Sequence, residues 1–203
     1  MIFLISQSDI WVSALLFGPV ETGYYVAASR LVFLTTFFAV LLNGLFTPRL
    51  SRLAVAEDLQ PFEDMLRAVS ALNAMTGLAV AILLAIFAKH IIYLIFGGGF
   101  EDSTVLLRIL LFGQVGSLIV GPVGYALVVL NRSQALFVAA LFGLAASIGS
   151  LAFFSIGGIS QVEIAMSFAL GNIVFQLAMF TSLNGAGVSA LPSTRKLRGL
   201  ISD

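Results

Sequence analysis

"TGYYVAASRLVFLTTFFAVLLNGLF", residues 22–46, carries a single formal charge, Arg30, in an otherwise apolar run. Its length exceeds the roughly 20 residues that cross a hydrocarbon core as an α-helix. No alternation of apolar and polar residues marks it as a strand, and it is much longer than the roughly 9–11 residues of a membrane-barrel strand. The stretch therefore predicts a transmembrane helix, and it raises the question of what an arginine does at its centre.

Five further stretches read the same way, giving six predicted spans at about 3–18, 22–46, 69–95, 104–130, 135–157 and 161–183. The breaks between them carry turn chemistry, in "FGPVETG", "TPRLSRLAVAEDLQPFED", "FGGGFEDS", "NRSQ" and "GGIS". Composition agrees: 60% of residues are hydrophobic and 10% charged, with a mean hydropathy of +1.08, far from a soluble domain. The expected fold class is thus all-α, a polytopic membrane protein built as a six-transmembrane-helix bundle over residues 1–183, followed by a basic tail at 184–203. "MIFLISQSDI" does not read as a cleaved signal peptide, because it lacks a basic leading segment and Asp9 interrupts the apolar run early.

Several function classes drop out at this level. The formal net charge is zero, so nucleic acid is not expected as a partner. Cysteine is absent and there is one histidine, which removes disulfides, thiolate metal sites and cysteine nucleophiles. No HExxH or GxxxxGK[ST] pattern occurs. "FGGGF" at 96–100 lacks the lysine and the strand-to-helix setting of a phosphate loop and reads as a flexible turn. Neither an enzyme nor a metal or other cofactor is expected. Any transport would be driven by an ion gradient, by the membrane potential or by substrate concentration.

Basic residues predict the orientation. With the N-terminus in the cytoplasm, the inner side collects Arg49, Arg52, Arg67, Arg132, Arg195, Lys196 and Arg198, leaving Lys89 and Arg108 outside. Both termini are then cytoplasmic. The segment at about 48–67, bounded by Pro48 and Pro61 with apolar Leu50, Leu53 and Ala54, predicts a short amphipathic helix on the inner membrane surface.

Within the second span, Thr22, Ser29, Thr36 and Asn43 recur every seven residues and form one polar stripe. Arg30 lies one residue round from it. An arginine at a helix centre costs about 2.5–3.5 kcal/mol on insertion scales, so a hydrated cavity, a carboxylate or an anionic ligand must compensate it. Asp9 is the nearest candidate carboxylate and shares a helical face with Ser6 and Ser13; an interfacial Asp9 fits the sequence equally. Arg30 could also be a snorkelling or structural arginine that ties two helices together. The cavity candidates are accordingly Arg30, Asp9, Ser29, Thr36 and Asn43.

Elsewhere the polar and small residues read mainly as packing. Gly113, Ser117, Gly121 and Gly124 give the fourth span a small-residue face that Pro122 should kink, with Gln114 and Tyr125 beside it. Ala139, Gly143, Ser147 and Ser150 do the same for the fifth, Ser167 and Gly171 for the sixth, where Asn172 and Gln176 are candidates for interhelical hydrogen bonds. His90 and Glu163 read as interfacial groups at helix ends.

The run "SDIWVSALLFGPVETGYYVAASRLVFLTTFFAVLLNGLFTPRLSRL" resembles the seventh and eighth transmembrane helices of polysaccharide flippases in the multidrug/oligosaccharidyl-lipid/polysaccharide exporter superfamily. "YLIFGGGFEDSTVLLRILLFGQV" and "GYALVVLNRSQ" continue the likeness across nearly the whole chain, with Gly98, Gly99 and Phe100 where the family has an aromatic pair after its "FG". The resemblance implies one lobe, the C-terminal one, of a two-lobe flippase that moves a polyprenyl-pyrophosphate-linked oligosaccharide across the bacterial inner membrane by alternating access. Such export serves polysaccharide biosynthesis, lipopolysaccharide included. Arg30 falls where the family has a cationic residue thought to meet the pyrophosphate, which a guanidinium can bind in a forked geometry. The implied partners are the lipid-linked glycan, membrane lipids, and a missing N-terminal lobe or a second copy. A fragment of a longer translocase, a half-sized protein and a nonfunctional remnant all fit, as do half of a multidrug/cation antiporter and a structural membrane subunit.

Overall fold

The computed structural model describes residues 7–55 and 59–193. Every regular element among them is helical: α1 (Ser8–Leu16), α2 (Pro19–Val55), α3 (Leu59–Ile86), α4 (Ala88–Phe96), α5 (Ser103–Val120), α6 (Val123–Val129), α7 (Ser133–Phe154) and α8 (Gln161–Asn184), with short 3₁₀ turns at Gly98–Phe100 and Ser155–Gly157. The protein is an all-α, polytopic membrane protein. Five helices are long and apolar enough to span a bilayer, at Pro19–Ala54, Gln60–Ile86, Ser103–Val120, Ser133–Gly157 and Gln161–Asn184. Of the predicted first span, residues 3–6 lie outside the described residues and the rest forms α1.

The helices run alternately up and down, so the α1–α2 turn, the 97–102 loop and the 155–160 turn share one end, called here the turn end. α8 packs along α7 and α5, α2 along α3, and α5 touches both α2 and α3. Apolar side chains gather into two clusters along this bundle. Tyr25, Ala88, Ile92, Leu107 and Ile164 belong to the one nearer the turn end. Leu50, Phe62, Val69, Val123, Leu127 and Leu183 belong to the one at the opposite end.

Residues 48–67 depart from the sequence reading. No separate surface helix forms: 48–55 continue α2 and 59–67 open α3. Pro48 sits inside α2, where it removes one backbone donor. Side-chain hydrogen bonds brace the neighbourhood, from Thr47 Oγ1 to the Asn43 carbonyl at 2.5 Å and from Ser51 Oγ to the Thr47 carbonyl at 3.0 Å. Leu50 is buried, and Leu53 and Ala54 pack beside it on the bundle. The apolar face of this segment has thus found protein instead of headgroups. With 37 residues, α2 is about 55 Å long at 1.5 Å per residue, well beyond the ~30 Å of a hydrocarbon core.

Two predicted spans are interrupted. Phe87 bends the third between α3 and α4 without ending the ladder, since Phe87 N–H donates to the Leu83 carbonyl and Ile91 N–H to the Phe87 carbonyl. Arg108 Nε donates to the Ala85 carbonyl beside this bend at 3.3 Å. The fourth span breaks at Gly121–Pro122, as Pro122 foretells. Gly121 has φ +67°, and a Cβ there would lie 2.8 Å from Ser70 Cα. Only glycine combines that backbone with that approach. Ser70 Oγ donates to the Val120 carbonyl at 3.3 Å, satisfying one acceptor that the break exposes.

The small-residue faces meet as their spacing implies. A Cβ on Gly113 would lie 2.6 Å from Ala169 Cα, and one on Gly171 only 1.8 Å from Ser147 Oγ. At the N-terminus of α8, Ser160 Oγ accepts from Val162 N–H while the Glu163 carboxylate accepts from Ser160 N–H, a reciprocal cap. Beyond α8 the chain turns back on the bundle. Val188 and Ala190 are buried, Ser193 N–H donates to the Arg67 carbonyl at 3.3 Å, and Arg67 Nε donates to the Leu191 carbonyl at 3.3 Å. The first part of the predicted tail is therefore docked on α3; its residues 194–203 lie outside the described residues.

Candidate functional site

A cleft of about 400 Å³ opens between α1, α2, α5, α7 and α8. Arg30, Asp9, Ser29 and Thr36 all line it, so the structure brings together four of the five residues singled out from sequence. Arg30 is exposed and forms no ion pair or hydrogen bond with another described residue. Its guanidinium is thus available to a ligand or to water, at a depth where the reading of α2 as a membrane span requires one or the other.

Asp9 does not neutralise Arg30. Its Oδ2 accepts instead from the Tyr25 hydroxyl, at 3.1 Å. Tyr25 is fully buried, so this contact fixes α1 against α2 and leaves the arginine without an acidic partner among the described residues.

Thr36 lies half-buried on the cleft wall, with Oγ1 donating to the Phe33 carbonyl of its own helix at 2.9 Å. Ser29 is half-buried beside Arg30. Asn43, the fifth candidate, is elsewhere: it is 7% exposed and accepts a hydrogen bond from Asn73 Nδ2 of α3 at 3.0 Å. The heptad stripe explains the divergence. A straight α-helix drifts about 20° per seven residues, so the three heptads from Thr22 to Asn43 rotate the last member by roughly 60°, toward α3.

The opposite wall carries groups that sequence reasoning assigned to packing. Gln114, Ser117, Asn172 and Gln176 all line the cleft. Asn172 Nδ2 donates to the Gly113 carbonyl at 3.1 Å and to Gln114 Oε1 at 3.0 Å, which is the interhelical bonding expected of it. That bond also orients the Gln114 amide. The signal that these groups face the same space as Arg30 is not periodic within any one helix; it needs the α5–α8 pairing.

A second depression adjoins the first. An open groove of about 610 Å³ runs along α2 from Thr22 to Arg30, walled by Phe17, Phe96 and Phe100, and Arg30 lines both spaces. Among the described residues no group of three or more His, Asp or Glu side chains could hold a metal ion.

In comparison with known proteins, no protein-family model matches the chain, and no curated protein matches it significantly. The chemistry of the cleft is therefore the basis for assigning a role. An exposed guanidinium in one cleft with amide and hydroxyl groups can bind an anion that also makes hydrogen bonds.

Proposed function

We propose that this chain is one lobe of a membrane translocase for an anionic lipid-linked glycan, a polyprenyl-pyrophosphate oligosaccharide, moved by alternating access. The observation that carries the reading is Arg30, exposed in a polar cleft between membrane helices with no acidic partner among the described residues. The resemblance to polysaccharide flippases supports the same reading. The cleft would face a second lobe, supplied by further sequence or by another copy. The end of the bundle with Arg49, Arg52, Arg67 and Arg132 would face the cytoplasm of a bacterial inner membrane, by the excess of basic residues there.

Asp9 favours a second reading, half of a multidrug/cation antiporter, because it lines the same cleft. One experiment separates the two. Deleting the chain in its native host should abolish surface display of a glycan while its lipid-linked precursor accumulates. Arg30→Ala, at matched protein level, should reproduce that defect, and Asp9→Asn should be milder. Unchanged export with Arg30→Ala, or cation efflux that depends on Asp9 alone, would overturn the flippase reading.

A further inference from the structure

Two glycines bring α8 against α5. A Cβ on Gly113 would lie 2.6 Å from Ala169 Cα, and one on Gly116 would lie 3.8 Å from Gln176 Cβ. Asn172 and Gln176, one turn apart on α8, share the face that meets α5 at the cleft wall. The two amides behave differently there. Asn172 is paired across the helices, as a packing amide should be. Gln176 is 7% exposed, lines the cleft and makes no hydrogen bond with another described residue, although burial without a partner is costly for an amide.

The pairing of Asn172 also sets which way its neighbour points. The Gly113 carbonyl can only accept, so the end of Asn172 that faces it must be Nδ2, at 3.1 Å. The second proton of Nδ2 needs an acceptor, and at 3.0 Å it meets Gln114 Oε1. A backbone group that cannot turn over thereby orients two side-chain amides in series. Gln114 Nε2 and Asn172 Oδ1 are left over, one a donor and the other an acceptor, both on residues that line the cleft. We propose that Gln114, Asn172 and Gln176 form a second subsite, on the wall opposite Arg30, for an uncharged group that both accepts and donates hydrogen bonds, a hydroxyl or a secondary amide; this deepens the proposed function and rests on it. Gln114 donates to that group, Asn172 accepts from it, and Gln176, with both ends of its amide unused, can do either. Asn172 has a second task as the positioning residue of Gln114. A ligand that is only an anion leaves these groups unpaired, so the subsite discriminates between ligands that Arg30 alone would hold equally.

Equilibrium binding to the full chain in detergent tests this with three phosphate monoesters: methyl phosphate, which carries the anion alone, glucose 1-phosphate, which adds hydroxyls, and N-acetylglucosamine 1-phosphate, which adds an amide as well. Wild-type protein should bind the two sugar phosphates about tenfold more tightly than methyl phosphate. Gln176→Leu and Gln114→Met should each weaken the sugar phosphates by about threefold to tenfold and leave methyl phosphate unchanged, which also shows that the variants are folded. Asn172→Ala should lose at least as much as Gln114→Met, and adding Gln114→Met to it should cost nothing more, because Gln114 is no longer held. A further gain for the N-acetyl ligand assigns the occupant as an amide and equal binding of the two assigns it as a hydroxyl; both support the subsite. Amide variants that keep the wild-type discrimination, or that weaken methyl phosphate as much as the sugar phosphates, would overturn it and return these residues to packing. Methyl phosphate bound equally by wild type and Arg30→Ala would instead overturn the proposed anion site, and the subsite's role beside it.

Discussion

Asn73 Nδ2 donates to Asn43 Oδ1 at 3.0 Å, and both side chains are buried between α2 and α3. This amide pair is the polar joint of the long hairpin that the two helices form. Asn73→Ala leaves the Asn43 carbonyl without its donor and should destabilise the bundle by about 1–2 kcal/mol. Replacing both residues by alanine should cost less than the sum of the two alanine singles, because no member of the pair is then left without its partner. Unfolding of the four proteins in mixed micelles, treated as a double-mutant cycle, gives the coupling. Strict additivity would mean that the pair contributes nothing as a pair.

Gly171 should tolerate no side chain. Its Cβ would fall 1.8 Å from Ser147 Oγ and 2.6 Å from the Gly143 carbonyl, so Gly171→Ala must push α7 and α8 apart, at about 1–3 kcal/mol. Gly149 on α7 has nothing within 4 Å, and Gly149→Ala should be neutral or slightly stabilising. Thermal unfolding followed by circular dichroism compares the two; equal midpoints would contradict the interlocked packing.

At Gly121, alanine meets both a backbone at φ +67° and the Cα of Ser70. With ψ at −134° this backbone is one that glycine alone adopts readily, and Gly121→Ala should therefore destabilise by more than the roughly 1–3 kcal/mol that such a conformation alone costs. Pairing it with Ser70→Gly should recover part of the loss, the steric part, and leave the conformational part. The test is chemical unfolding of single and double variants side by side.

For Tyr25 the hydroxyl and the ring can be separated. Tyr25→Phe keeps the buried ring and removes the 3.1 Å hydrogen bond to Asp9, a loss of about 1 kcal/mol or somewhat more for a charged acceptor. Tyr25→Ala also empties a site in the cluster nearer the turn end and should cost about 3–5 kcal/mol. A Phe variant as unstable as the Ala variant would place the main contribution in the hydroxyl.

Arg30→Ala is expected to leave the unfolding midpoint within about 0.5 kcal/mol of wild type, the usual range for a side chain without defined contacts. A structural arginine bridging two helices would behave in the opposite way. A stability loss of several kcal/mol would therefore argue against a ligand-facing role without any transport assay.

The helical class and four of the cleft residues were legible because each rests on signals local to one segment: run length, charge position and seven-residue spacing. Asn43 was misplaced because a heptad count ignores helical drift over three repeats. The segment at 48–67 was misread because Pro48 and Pro61 look like boundaries, whereas α2 continues through Pro48 with Thr47 and Ser51 side chains bonded along its backbone. Gly121–Pro122 announced its break; Phe87 did not, since neither proline nor glycine marks it, and the Arg108 side chain that bonds to Ala85 beside it comes from another helix. Gln114 and Asn172 join the cleft only through the pairing of α5 with α8, which no single-helix pattern contains.

The docked segment after α8 imposes an order of assembly. Leu191 accepts from an arginine 124 residues earlier in the chain, and Val188 and Ala190 complete the apolar cluster that Leu50, Phe62 and Leu66 begin. During synthesis the α2–α3 hairpin enters the membrane with that end of its packing surface uncovered; α6 and α7 begin to cover it, and the cluster is complete only once the segment after the last helix has followed. Until then the half-built cluster is the part of the nascent protein most open to mispairing or to capture by a chaperone or insertase.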